Sequence, residues 1–239
     1  MFYYLVEPSL TWNLILIAAA VIPAVFLMLK VYQADRLEKE SKALLWQLVK
    51  AGIFSSLIAL VAERALSYLL DEAVAPDSAA YDVLLYFVVV AVSEECSKYL
   101  MLKRRTWRSP EFDCMYDGVV YAVFVSLGFG LWENISYVLS YGFSTAVVRA
   151  VTAIPGHACF GVFMGVFYAT AKRYEAYGLG SDSRMYRFLS ILIPVLLHGA
   201  YDYIASTDTS GLYFLAFVAA LFVVSYRLVN KKARNDRYI

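Results

Sequence analysis

Residues 91–100 read AVSEECSKYL and place Glu94, Glu95 and Lys98 within a stretch that is otherwise rich in apolar side chains. An ionisable side chain at the centre of a bilayer costs about 2.5 kcal/mol or more on insertion scales, so three within one turn need partners and usually mark a function. On an α-helix Glu94 and Lys98 share a face, whereas Glu95 lies about 100° further round. The stretch therefore predicts a membrane helix whose charged groups meet other helices.

The composition is that of a membrane protein. Of the 239 residues, 61% are hydrophobic and 17% are charged, and the mean hydropathy is +0.60, which lies outside the soluble globular range. Residues 1–239 are expected to form a single integral domain in contact with the lipid bilayer. The net charge of +1 carries no signal for a nucleic-acid partner. The spacing of Cys96, Cys114 and Cys159 supports neither a disulfide framework nor a zinc knuckle.

Seven apolar stretches predict an all-α, polytopic transmembrane helical bundle. The predicted spans are residues 10–31, 44–70, 81–103, 115–141, 144–171, 187–206 and 211–229. Connections that carry Lys and Arg alternate along the chain with connections that carry none. By the positive-inside rule, this alternation predicts that the N-terminus lies outside and the C-terminus in the cytoplasm.

Polar side chains recur in the later predicted spans. Glu133 and Asn134 fall in the fourth span, His157 in the fifth, and His198 and Asp202 in the sixth. His198 and Asp202 are four residues apart, so both side chains can contact one water, metal ion or substrate. At 1.5 Å per residue, the Glu and His residues of the third to sixth spans lie roughly 10 to 20 Å below the outer face. We therefore expect them to line one hydrated cavity.

Such a set can activate water in two ways, and the residues alone leave both open. In the first, His157, His198 and Glu133 form an open site for a Zn²⁺ ion, and a further Glu acts as general base. In the second, no cofactor is needed, because a Glu takes the proton from water while His198 and Asp202, or Asn134, stabilise the oxyanion. Amide hydrolysis fits both arrangements.

Each group also has a structural interpretation. The pairing of Glu94 with Lys98 is also typical of a structural salt bridge, and a membrane histidine often bonds a backbone carbonyl. Arg64 and Arg149 are most simply anchors at the membrane interface or partners of the acidic outer loop. At the level of function, a non-catalytic binding or regulatory membrane protein and a proton-coupled transporter are the alternatives, although no inverted repeat favours transport.

Four motifs occur in order on successive predicted helices. They are Glu94-Glu95-x-x-Lys98, Phe129-x-x-x-Glu133, an Ile-Pro-Gly-His sequence that ends at His157, and His198-x-x-x-Asp202. Together they resemble the PrsW family of membrane proteases, which is similar in turn to the CAAX prenyl endopeptidases and the abortive-infection membrane proteases. The resemblance covers about residues 85–205, so the catalytic helices are expected within residues 81–206.

The resemblance implies a multi-pass protease of the bacterial cytoplasmic membrane. Its substrate would be a membrane-anchored anti-sigma factor, in which it makes the first (site-1) cut, on the extracytoplasmic side, during a stress response. The family is often classed with the metallopeptidases. The implied catalytic or metal-binding residues are Glu94 and Glu95, which would activate water, Lys98 beside them, His198 as an essential imidazole, and Asp202, Glu133 and His157 in supporting or metal-binding roles. The chain departs from the CAAX proteases at Glu133, where they carry His.

Overall fold

The long apolar runs form helices, as expected for a chain whose backbone polar groups must be satisfied without water. The computed structural model describes the backbone of residues 3–239 and the side chains of residues 10–239. Apart from one isolated bridge between Cys114 and Tyr238, the regular structure of this part of the chain is helical. The helices are α1 Tyr3–Ala34, α2 Lys42–Ala73, α3 Tyr81–Leu84, a π-helical segment Leu85–Val90, α4 Ala91–Thr106, α5 Asp117–Tyr141, α6 Phe143–Val151, α7 Ala153–Ala176, α8 Gly180–Thr207 and α9 Leu212–Arg234. The predicted all-α polytopic class is confirmed.

Six segments of the described chain are long and apolar enough to cross a membrane. They are Leu10–Ala34, Lys42–Ala73, Asp117–Tyr141, Phe143–Ala176, Gly180–Thr207 and Leu212–Arg234. The third predicted span, 81–103, lies in the continuous helical stretch from α3 to α4, whose many charges reduce its apolar character. The seven-span count and the orientation stay predictions, and the start of the predicted outer N-terminal segment, residues 1–2, lies outside the described residues.

Helix α5 forms the centre of the bundle, because every residue from Asp117 to Leu131 is buried. Glycines allow its neighbours to approach closely. A Cβ atom on Gly128 would overlap the backbone of Val49 on α2, and one on Gly165 of α7 would overlap the backbone of Gly118 on α5. Small residues at such crossings are typical of packed membrane helices. The catalytic candidates thus lie on α5 itself and on α4, α7 and α8, which surround it.

The fifth predicted span, 144–171, is divided into two helices. The break lies at Thr152, whose φ of −120° and ψ of −72° depart from helical values. Pro155 falls in the first turn of α7, where a missing backbone N–H is tolerated. Helix α6, which ends at this break, carries Arg149 in the wall of a cavity.

The connections flanked by basic residues gather at one end of the bundle, which we call the basic end. It comprises residues 35–41, 107–116, 177–179 and 235–239. The Ser41 amide donates to Oε2 of Glu111 over 3.1 Å, and Lys172 donates to the Trp107 carbonyl over 2.7 Å. The opposite end carries residues 74–80, Gly142 and residues 208–211.

Candidate active site

A cavity of about 530 Å³ opens between α2, the π-helical segment and helices α4 to α8. Apolar and aromatic side chains make up half of the residues that line its wall. Its charged or imidazole groups from α4 to α8 are Glu94, Glu133, Arg149, His157, His198 and Asp202. The structure thus brings together the side chains that the sequence motifs single out from four separate stretches.

The Lys98 ammonium group lies at the centre of the polar cluster. Its Nζ atom is 3.0 Å from Oε2 of Glu94 and 2.7 Å from Oε1 of Glu95. The same atom is 3.4 Å from Nδ1 of His157 and 4.0 Å from the centre of the Phe129 ring. Lys98 and Glu95 are fully buried. Two carboxylates therefore compensate one desolvated cation, as a buried charge requires.

His198 lies between two carboxylates from different positions in the fold. Its Nδ1 atom is 2.9 Å from Oε1 of Glu95 on α4, and its Nε2 atom is 3.3 Å from Oδ2 of Asp202 one turn further along α8. The Phe160 ring stacks on the imidazole with ring centres 4.8 Å apart. Both Nε2 and Asp202 belong to the cavity side, whereas Glu95 lies behind the cavity wall. The two adjacent glutamates thus differ, because Glu94 lines the cavity.

His157 is held in place from three directions. Its Nε2 atom is 2.7 Å from Oε2 of Glu133, and Ser126 donates a hydrogen bond to its backbone carbonyl over 2.7 Å. Gly130 of α5 leaves room for the ring, because a Cβ atom there would lie 2.7 Å from Cδ2 of His157. The imidazole therefore has one defined position in the cavity wall.

Arg149 does not act as an interface anchor or a partner of the outer loop, so that expectation is wrong. Its Nη2 atom lies 3.2 Å from Oε1 of Glu133, and its Nε atom donates to Oδ1 of Asn134 over 2.9 Å. Asn134 is fully buried and donates in turn to the Ala20 carbonyl over 2.9 Å. Asn134 does not line the cavity, and its amide oxygen helps to position Arg149.

Glu63 of α2 also lines the cavity, and the sequence analysis missed it. The available signal was an ionisable side chain inside the predicted span 44–70, the same signal that singled out Glu94 and Glu95. Glu63 lacks a motif partner at helical spacing, so the pattern alone did not distinguish it from an interface residue.

Donor atoms around the cavity form two sets, in each of which they lie within 4.8 Å of one another. Glu94 belongs to both, with Glu95 and His198 in one set and with Glu133 and His157 in the other. The predicted trio of His157, His198 and Glu133 is divided between the two sets. The centres of the two imidazole rings are 5.9 Å apart.

The donor types suit a zinc-type ion, because zinc accepts both imidazole and carboxylate ligands. The charges around these donor atoms suit a metal cation less well. The Lys98 ammonium already pairs with Glu94, the shared member of both sets, and lies beside His157. A divalent cation in either set would be held against this positive charge, so the residues as arranged do not fit a metal ion unless Lys98 is displaced.

Comparison with known proteins gives one consistent result. A model described as PrsW family intramembrane metalloprotease matches residues 40–228. The chain is 32% identical over 217 residues to "Protease PrsW" of Geobacillus kaustophilus, an alignment that covers 90% of this chain and 91% of the relative. It is 30% identical over 223 residues to "Protease PrsW" of Bacillus subtilis, covering 92% and 96%. No solved structure matches the chain.

Proposed function

Because the chain belongs to the PrsW family of intramembrane proteases, we propose that its cavity makes the first cut in a membrane-anchored anti-sigma factor, near the extracytoplasmic end of that factor's span. The family assignment predicted from the motifs is confirmed, and it favours an enzyme over the transporter and the non-catalytic protein. The observation that carries the proposal for the site is the contact of His198 with Glu95 and Asp202 beside the cavity-facing carboxylate of Glu94.

We assign the role of general base to Glu94. Its carboxylate lines the cavity, and its contacts with Lys98 and His198 both use Oε2. Oε1 is therefore the oxygen suited to accept a proton from a water molecule in the cavity. A positioned carboxylate that removes a proton from the attacking water typically contributes 10²- to 10⁴-fold, on the order of other general bases.

Nε2 of His198, paired with Asp202, gives a proton to the leaving amine, and the proton that Glu94 took from water then replaces it on the imidazole. Glu95 holds Nδ1 of His198, which directs Nε2 towards Asp202 and the cavity. Glu95 is buried behind the wall, so it acts as a positioning residue for His198 and not by direct contact with water. The sequence motifs led us to expect that both adjacent glutamates activate water, and here we propose that Glu94 alone does so while Glu95 positions His198.

Arg149 supplies a positive charge at the cavity wall. Its Nε donates to Asn134 and its Nη2 forms an ion pair with Glu133, and the charge is suited to stabilise the oxyanion that forms at the peptide carbonyl. His157 holds Glu133 from the other side. Glu133 and His157 thus hold the guanidinium group of Arg149 in position before a substrate binds.

We propose the metal-free of the two arrangements, because the Lys98 ammonium occupies the position beside Glu94. Zn²⁺ is the second candidate, and when bound such an ion would polarise the peptide carbonyl and lower the pKa of its water. Dialysis of the purified protease against a strong chelator separates the two. Unchanged cleavage supports the metal-free arrangement, whereas a loss that added Zn²⁺ restores would support the metalloprotease.

The test of the site is cleavage of a co-expressed membrane-anchored substrate. We expect Glu94→Gln and His198→Ala to abolish the shortened product while the protein remains inserted in the membrane. Glu72→Gln is the matched control, because Glu72 is exposed at the end of α2, away from the cavity. Retained cleavage in both cavity variants would reject the assignment.

The test of the substrate class uses the membrane-anchored anti-sigma factors of the same genome. Each is co-expressed with the protease and its length is measured on blots with tags at both ends. We expect one of them to be cut on the extracytoplasmic side. If all of them stay intact while another membrane protein is cut at a rate that depends on Glu94, the substrate class is wrong and the protease assignment stands.

A further inference from the structure

A second group of metal-type donors lies far from the cavity, at the basic end. Here the C-terminal tail packs against the connection between α4 and α5. The Met115 amide donates to the Arg237 carbonyl over 3.0 Å, and the Ile239 amide donates to the Asp113 carbonyl over 2.7 Å. We call the acidic groups and the thiol at this junction the acid cluster. It consists of Asp35, Glu38, Asp113, Cys114, Asp117 and Asp236.

Three side chains of the acid cluster present donors to one point. One carboxylate oxygen of Glu38, one of Asp113 and Sγ of Cys114 all lie within 4.8 Å of one another. Cys114 is 1% exposed. A thiolate with two carboxylates is a donor set that suits a zinc-type ion better than Mg²⁺ or Ca²⁺, which prefer oxygen donors alone.

Buried carboxylate oxygens without a donor point independently to a missing cation. Asp117 is fully buried, and its Oδ2 atom accepts from the amides of Asp113 and Cys114 over 3.1 Å and 2.6 Å. This carboxyl group also lies within hydrogen-bond distance of the Glu40 carboxyl group, so Asp117 has partners of its own. Oδ1 of Asp113 and Oδ2 of Asp236, by contrast, are buried and have no hydrogen-bond partner among the described residues. Buried polar atoms are nearly always paired, so these oxygens need a ligand.

The charge of Lys39 acts on the Asp35 carboxylate, but among the described residues Lys39 forms no salt bridge with the acid cluster. Nζ of Lys39 donates to the backbone carbonyls of Tyr32 and Asp35 over 2.6 Å and 2.5 Å, and these bonds do not involve a carboxylate. Asp35 is itself 4% exposed, and neither of its carboxylate oxygens has a hydrogen-bond partner in the described structure. The acid cluster thus has more carboxylates than it has hydrogen bonds from basic side chains in the described structure.

We propose that Glu38, Asp113 and Cys114 bind a divalent metal ion of the zinc class that joins two connections at the basic end. Glu38 belongs to the connection between α1 and α2, and Asp113 and Cys114 belong to the connection between α4 and α5, to which the tail is paired. The ion has a structural role, since the site lies at the end of the bundle away from the peptide-cleaving cavity.

The probe is Co²⁺, because a cobalt ion bound to a thiolate has an intense ultraviolet charge-transfer band that carboxylate and imidazole sites lack. Co²⁺ is titrated into the full chain, purified in detergent and first treated with a chelator. We expect the band to saturate at one equivalent and to be lost in Cys114→Ser. Cys96→Ser and Cys159→Ser are matched controls that keep the band, and Glu94→Gln keeps it as well.

Glu38→Gln covers the case in which Cys114→Ser fails to fold, because Glu38 is exposed in a loop. In this variant we expect the band to weaken and the rise in Tm that Zn²⁺ gives the unmodified chain to be lost. An unmodified chain without the band, or a band that persists in Cys114→Ser, overturns the proposal. Because the readouts are spectral and thermal, these results do not depend on the protease assignment.

Discussion

Nδ1 of His198 lies 2.9 Å from Oε1 of Glu95, and this contact joins α8 to α4 behind the cavity. Glu95 is fully buried, whereas its neighbour Glu94 lines the cavity. The contact therefore gives the two adjacent carboxylates different tasks. One orients an imidazole, and the other is in position to meet the water and the substrate.

Glu95→Gln should reduce the cleavage rate less than Glu94→Gln does. Glutamine keeps an oxygen that can accept from His198, so we expect a loss of about 10- to 100-fold, the range for groups that orient a histidine ligand. Loss of the general base in Glu94→Gln should lower the cleavage rate about 10²- to 10⁴-fold. Initial rates with purified variants measure both. Equal losses would mean that the two glutamates share one role.

Arg149→Lys should reduce cleavage about 10-fold or more, because an ammonium cannot bond Glu133 and Asn134 in the fixed geometry of a guanidinium. Arg184→Lys, at an exposed position on α8, is the matched control. The double variant Arg149→Lys Glu133→Gln should lose less cleavage rate than the product of the two single-variant losses, because the two residues act as one unit. Independent losses would argue against the contact.

Gly130→Ala should inactivate the protein without unfolding it. The added Cβ atom would lie 2.7 Å from Cδ2 of His157, so the imidazole must move, and a displacement of about 1 Å in an active site can cost roughly 100-fold. The control is Gly180→Ala, where the nearest atom to a new Cβ is Nη1 of Arg184 at 3.8 Å. If both variants cleave at the unmodified rate, the position of His157 has no bearing on catalysis.

Ala79→Cys and Arg108→Cys test whether residues 81–103 cross the membrane. In a background without the native cysteines, an impermeant maleimide added to intact cells should label Ala79→Cys, and it should label Arg108→Cys after permeabilisation. This result follows from the alternation of basic and non-basic connections. Labelling of both positions from the same side would show that residues 81–103 do not cross the membrane.

The sequence predicted the helical class and the meeting of charged groups because both follow from the cost of polar atoms in a bilayer. Glu94, His157 and His198 have few partners available in an apolar chain, so their convergence was the simplest solution. The motifs carried the family assignment, which the comparisons with known proteins confirm.

Other features depend on tertiary geometry that no periodicity encodes. Apolar residues flank Thr152 on both sides, so the hydropathy pattern gave no sign of the helix break at this residue. Glu94 and Glu95 are adjacent in sequence, and their different exposure results from the packing of α8 against α4. The acid cluster joins residues such as Glu38 and Cys114, which are far apart along the chain and lie in connections without regular spacing.

Single-turnover cleavage by the purified protein in proteoliposomes tests the central claim, that the Glu94 carboxylate activates the water that cuts a membrane-embedded substrate. The unmodified chain and Glu94→Gln are compared at saturating substrate, with substrate binding measured separately by crosslinking. We predict that Glu94→Gln binds the substrate as the unmodified chain does and cleaves it about 10²- to 10⁴-fold more slowly. Cleavage by Glu94→Gln at the rate of the unmodified chain would contradict the account.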